Sequence, residues 1–119
     1  MKQPTPEHTI VIERNPRRVT VSFSGATLAQ TRRAMTLREA SYPPVVYVPR
    51  EDADMTLFQR TSHSTHCPYK GDASYYTVEA NGQRAENVAW SYESPYPTAM
   101  PVKGYLAFYT DRVRVEEEA

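Results

Sequence analysis

The stretch Ser74–Tyr92, "SYYTVEANGQRAENVAWSY", decides the fold. Two runs rich in β-branched and aromatic residues flank Asn81-Gly82. That dipeptide is the strongest short-range hairpin signal, because a type I′ turn needs positive φ at both central positions and Asn and Gly tolerate it. A two-residue turn there pairs Ala80 with Gln83 and Glu79 with Arg84. In an unbroken ladder Thr77 then faces Glu86, Tyr75 faces Val88 and Ala73 faces Trp90. Glu79, Thr77, Tyr75 and Ala73 share one face, because side chains alternate along a strand. The face is charged near the turn and aromatic farther along, at Tyr75, Trp90 and Tyr92. Gly71 falls opposite Tyr92, where a side chain is missing.

The rest of the chain repeats this grammar. "HTIVIE" (8–13) is short and β-branched. "RVTVSF" (18–23) alternates, with Val19, Val21 and Phe23 on one side, and "SGA" supplies a turn back into "TLAQTR". "PPVVYVP" (43–49) is a strand bounded by prolines, which cannot donate to an interior ladder. The acids of "REDADMTLF" suit the first turn of a short helix. "TAM" in the proline-rich 96–104 connection suits one helical turn. "YLAFYT" and "RVRVE" read as a closing strand pair or as one broken strand. The expectation is an all-β domain of about seven to nine short, mostly antiparallel strands with at most one or two short helices. With 119 residues the chain suits one domain, 1–119, with a core over about 8–115 and flexible tails at 1–7 and 116–119.

Composition bounds the function. Lys plus Arg and Asp plus Glu are both 14, so no overall basic field points to nucleic acid. Eleven of the 14 basic residues are Arg, some in pairs (Arg17-Arg18, Arg32-Arg33), which read as solvated strand edges and turns. One cysteine excludes an internal disulfide, and no apolar run is long enough to span a membrane. These features predict a soluble, cytoplasmic protein. Nothing in the sequence sets an oligomeric state.

The residues with chemistry concentrate in "STHCPYKGDASYY" (64–76). His63, His66 and Cys67 resemble a zinc clip, but structural zinc normally takes four N or S ligands, often as two separated pairs, so no metal is expected. A catalytic Cys67 needs a base aimed at it, and its neighbour His66 would point to the opposite face of a strand. Lys70-Gly71 lacks the preceding glycines of a phosphate loop. Asp52 and Asp54 offer carboxylates for Mg²⁺, or simply acids at a helix start. The remaining reading is a pocket. Tyr47, Tyr75, Trp90 and Tyr92 would form an aromatic wall, with Arg50, His66 and Lys70 as a cationic rim for a small polar or anionic ligand. No catalytic residue and no cofactor is assigned. The alternatives are an enzyme with His66 as acid-base beside Cys67 or a tyrosine, and a protein-interaction module presenting the same face.

Taken in order, "YVPREDADM", "THCPYKGDASYY", "AWSYESPYP" and "AFYTDRV" resemble the domain of unknown function 427 family, which is common in bacteria and also found in fungi. The likeness runs from about Val19 to Val113. Its characteristic positions fall on Tyr47, Pro49, Asp52, Thr65, His66, Cys67, Pro68, Lys70, Gly71, Tyr75, Trp90, Tyr92, Phe108 and Tyr109. The resemblance implies a compact all-β domain similar to the Mss4-like or β-tent architecture. Relatives of that architecture often carry two cysteine pairs for zinc, from which this chain departs. The family is sometimes labelled nucleotidyltransferase-like. This sequence lacks the glycine-serine and paired-acid arrangement such enzymes use.

Overall fold

A computed structural model describes residues 1–119. The chain is all-β, with ten strands: β1 (Ile10–Asn15), β2 (Arg18–Phe23), β3 (Ala26–Thr31), β4 (Ala34–Glu39), β5 (Val45–Tyr47), β6 (Phe58–Cys67), β7 (Gly71–Ala80), β8 (Gln83–Ser91), β9 (Ala107–Phe108) and β10 (Arg114–Glu118). They form three antiparallel sheets, ordered β1-β4-β5, β10-β2-β3 and β6-β7-β8-β9. Three short 3-10 segments, Arg50–Asp52, Met55–Leu57 and Pro97–Val102, are the only helical elements. No helix is long and apolar enough to cross a membrane.

Alternation places the core. Val19 and Val21 on β2, Leu28 on β3 and Val78 on β7 are fully buried in one apolar cluster that also holds Tyr76 and Phe108. Burying each such aliphatic side chain is worth about 1.5–3 kcal/mol over leaving it exposed. The other face of the large sheet carries a second cluster around Leu37, Tyr47, Tyr75, Tyr92 and Val102. The sheet β6-β7-β8-β9 therefore divides two cores, and outside its irregularities the parity of a strand residue decides which one it serves.

The Asn81-Gly82 turn forms as the sequence implies. Both residues have positive φ, +51° and +76°, and Ala80 pairs with Gln83 and Glu79 with Arg84. The unbroken ladder does not hold beyond Val78. Tyr75 pairs with Trp90 rather than Val88, and Ser74 with Ser91, so Ala73 does not face Trp90. Two extra residues of β8 are taken up in a bulge containing Asn87, whose φ is +50°. A shift of two preserves alternation beyond the bulge, so Tyr75 and Trp90 still share one face, while Val88, inside the bulge, packs in the first cluster. β6 slips by two at the same level, between Arg60 and Ser64. The two bulges are tied together by the Thr61 hydroxyl, 2.6 Å from Asn87 Oδ1.

Other elements depart from the sequence reading. The polar run before Cys67 is a strand, β6, and "CPYKG" is the turn into β7. Ala34–Glu39 is a strand that the sequence reading passed over. β9 and β10 do not pair with each other: β9 completes the large sheet beside β8, and β10 joins β2. Residues 116–118, expected as tail, thereby lie within a ladder. At the other terminus the Lys2 amide donates to the Pro68 carbonyl at 2.7 Å, and Thr5 bridges to His8.

Candidate aromatic cleft and its polar surroundings

The expected wall exists, largely as core. Tyr47, Tyr75 and Tyr92 are buried in the second cluster, with Trp90 packed against it. Trp90 Nε1 lies 3.4 Å from the Tyr47 hydroxyl, a long hydrogen bond. Burial pushes the Tyr47 phenol up to about 12, an effect the Trp90 contact only partly offsets. Burial likewise raises Tyr92 well above the usual tyrosine range.

The expected rim does not assemble. Arg50 follows β5 and reaches the opposite face of the large sheet. Its guanidinium donates to the Tyr76 hydroxyl at 2.8 Å, to Glu93 at 3.0 Å, to Ser91 Oγ at 3.2 Å and to the Gly104 carbonyl at 3.1 Å. Glu93 also accepts from Tyr76 at 2.7 Å and pairs with Arg60 at 3.2 Å. Burial works against the Glu93 charge, but the Tyr76 and Ser74 hydrogen bonds and the two arginines outweigh it and hold the carboxyl below its ordinary value. Arg50 and Arg60 thus share the single Glu93 carboxylate in one network.

His66 belongs to that same face. It pairs with Asp72 across β6–β7, and its Nδ1 lies 2.7 Å from the Asp72 carboxylate on an exposed surface. Cys67, one residue on, turns the other way and packs against the second cluster. No His–Cys pair forms, because adjacent strand residues diverge.

Lys70 is not a free rim cation. Its ammonium lies 2.5 Å from Glu39 Oε1 and 5.7 Å from the centre of the Tyr92 ring. The two side chains are only 12% and 13% exposed. The other Glu39 oxygen meets His8 Nε2 at 2.7 Å, and the His8 ring stacks flat on Tyr69 at 4.2 Å. Burial disfavours the Glu39 charge, yet the Lys70 and His8 contacts prevail and lower its pKa. This cluster clips the N-terminal segment, the end of β4 and the β6–β7 turn together.

Asp52 and Asp54 do not converge. Asp52 accepts from Thr31 at 2.7 Å and from Arg33 at 3.0 Å, contacts that hold its carboxyl low. Asp54 caps the next 3-10 turn by accepting from the Thr56 amide. No group of three or more His, Cys, Asp or Glu side chains is arranged to hold a metal ion.

The largest concavity, 640 Å³, is lined in part by Trp90. Trp90 and Tyr109 form its aromatic wall, with ring centres 4.8 Å apart and planes tilted by 48°. The segment from Tyr42 to Val46 forms the other side, and Asp111 and Glu117 supply carboxylates. Tyr109 is held from behind by the Tyr75 hydroxyl at 3.4 Å, which in turn lies 3.0 Å from Thr65 Oγ1. The Tyr75 contact and burial push the Tyr109 phenol up to about 12. Tyr42 and Tyr109, at 65% and 43%, are among the few large apolar residues left exposed. Of the expected site residues only Trp90 lines this cleft.

A family model describing a domain of unknown function, DUF427, matches residues 11–119. The chain belongs to the DUF427 family. No curated protein matches it. The motif residues of this DUF427 domain thereby acquire structural places. Gly71 has φ of +106°, and a Cβ there would meet the Tyr96 amide at 3.4 Å, so the "YKGD" turn needs glycine. Lys70 forms the clip, Tyr75 supports Tyr109, and Trp90 lines the cleft. Sequence reasoning missed Tyr42, Asp111 and Glu117, which reach the cleft from three separate segments. The available signal was the exposed aromatic of "SYPP" and the "YTD" turn.

Proposed function

We propose that this DUF427 domain is a small-molecule binding module whose site is the cleft between Trp90–Tyr109 and the Tyr42–Val46 segment. The observation that carries the reading is that cleft: its volume falls in the range typical of ligand sites, and its wall is aromatic with a few polar groups at the margin. The Trp90 and Tyr109 faces suit a planar or apolar body. The margin is acidic, through Asp111 and Glu117, whereas the sequence suggested a cationic one from Arg50, His66 and Lys70. Those three are engaged by Glu93, Asp72 and Glu39. The ligand class is therefore a planar molecule carrying an amine or another hydrogen-bond donor. His66 pairs with Asp72 while the partly buried Cys67 packs on the other face, so this reading does not rest on a His66–Cys67 pair.

Trp90 is the only tryptophan, so its emission reports the cleft directly. Titration with a planar aromatic amine should change that emission saturably, and the matched aromatic carboxylate should bind more weakly. Asp111→Asn should narrow the difference between the two. Equal affinity for amine and carboxylate in the unaltered protein would refute the acidic-margin reading, and no saturable response to either would refute the cleft itself.

A further inference from the structure

Two connections meet at one end of the fold. Residues 16–17 join β1 to β2, and residues 32–33 join β3 to β4. Because β1 pairs with β4 and β2 with β3, both connections emerge side by side. They carry Arg17, Arg32 and Arg33, with Arg14 near the adjoining end of β1, all exposed. Their backbones are pinned. Buried Asn15 accepts from the Arg17 amide at 3.1 Å and donates to Thr36 and to Glu117 at 3.1 and 2.8 Å. Thr31 Oγ1 accepts from the Arg33 amide at 2.9 Å while donating to Asp52.

Two adjoining hollows of 330 and 260 Å³ open here and share Arg14, Asn15 and Pro16. The larger also holds Arg17 and Arg38, but Glu13 and Glu117 lie on its wall. The smaller is lined by Arg14, Arg32 and Arg33 with no carboxylate among its lining residues. Arg33 is paired with Asp52 and Glu51. Arg14, Arg17 and Arg32 take part in no ion pair, although most other arginines of this net-neutral chain do. A local excess of forked, unpaired guanidinium groups in a concave, pinned corner suits a tetrahedral oxyanion.

We propose that the corner formed by Arg14, Arg17, Arg32 and Arg33 is an oxyanion site that binds the phosphate of a small phosphorylated molecule. The smaller hollow shares no lining residue with the aromatic cleft, whereas the larger one adjoins that cleft through Pro44, Val46 and Glu117, and the proposal does not depend on the cleft. The phosphate sits in the smaller hollow between Arg14 and Arg32, away from Glu13 and Glu117. Arg17 approaches from the larger hollow.

The probe is pyrophosphate, titrated into the full chain by calorimetry and by amide NMR at low and at physiological salt. Binding should shift the amides of residues 14–17 and 32–34. The double variant Arg14→Gln, Arg32→Gln removes no ion pair, so it should fold normally and bind about tenfold or more weakly. Arg112→Gln, also exposed and unpaired but elsewhere, should bind as the unaltered protein does. Equal weakening in Arg112→Gln, or shifts scattered over the surface, would reduce the effect to general charge attraction and overturn the site. No binding at millimolar pyrophosphate would overturn it too. A single-stranded oligonucleotide that binds through the same arginines far more tightly than pyrophosphate would overturn the small-molecule class.

Discussion

Replacing Lys70 by Met tests how the N-terminal segment, β4 and the β6–β7 turn are clipped together. The Lys70 ammonium and Glu39 carboxylate lie 2.5 Å apart with side-chain exposures of 12% and 13%. Removing one partner of a fully buried pair costs about 3–5 kcal/mol, because the other charge is left uncompensated. An exposed pair is worth roughly 0–1 kcal/mol. Glu39 is mostly shielded and keeps His8 at 2.7 Å, so Lys70→Met should cost about 2–3 kcal/mol near neutral pH. For a chain of this length that lowers the melting temperature by about 6–12 °C, followed by circular dichroism. The double variant Lys70→Met, Glu39→Gln should recover at least about 1 kcal/mol, since a neutral amide is cheaper to bury than a lone carboxylate. The pH dependence has a definite sign. The Glu39 pKa is lowered in the intact protein, so its contribution is present above the ordinary carboxyl value and lost as pH falls through the folded value. In Lys70→Met the lowering contact is gone, Glu39 protonates sooner, and the gap between variant and parent narrows near pH 4. A loss under about 0.5 kcal/mol at neutral pH, or a double variant as unstable as the single, would refute the reasoning.

Two further outcomes follow from the same cores. Tyr47 keeps its proton to about pH 12 because it is buried, so its contribution to stability is complete below the ordinary tyrosine pKa and is lost as pH rises towards 12. Urea midpoints should fall above about pH 10, with Tyr47 contributing roughly 2–3 kcal/mol at most, and Tyr47→Phe should flatten that fall. A midpoint as steep in Tyr47→Phe as in the parent would count against it. Gly71→Ala should destabilise by about 1–3 kcal/mol, because φ of +106° is strained for any side chain. A neutral result in chemical denaturation would show that the turn adapts.

How much was legible follows from the range of each interaction. Asn81-Gly82 announces its turn locally, and the β2–β3 hairpin around Ser24-Gly25 does the same. The β8 bulge was hidden because a shift of two preserves alternation, so "RAENVAW" reads equally well with or without it. β6 was missed because "SHSTH" has the composition of a loop. Its strand character comes from pairing with β7, not from its own propensity. The aromatic wall was legible as a cluster, since Tyr75, Trp90 and Tyr92 keep their parity. Its cationic rim was not, because the acids that engage Arg50 and Lys70 lie 43 and 31 residues away in sequence. The chain closes only as a folded object, and charges that look free in one dimension find partners in three.

The central claim is that ligands enter at Trp90, and the most direct measurement is a fragment screen by proton–nitrogen NMR. The single tryptophan gives a single indole N–H resonance, from the atom 3.4 Å from the Tyr47 hydroxyl. Fragments that bind should be enriched in planar amines. Each should move that resonance together with the amides of Tyr42, Val46, Tyr109 and Asp111. Hits that bind reproducibly but leave the indole resonance in place would put the site elsewhere and contradict the account.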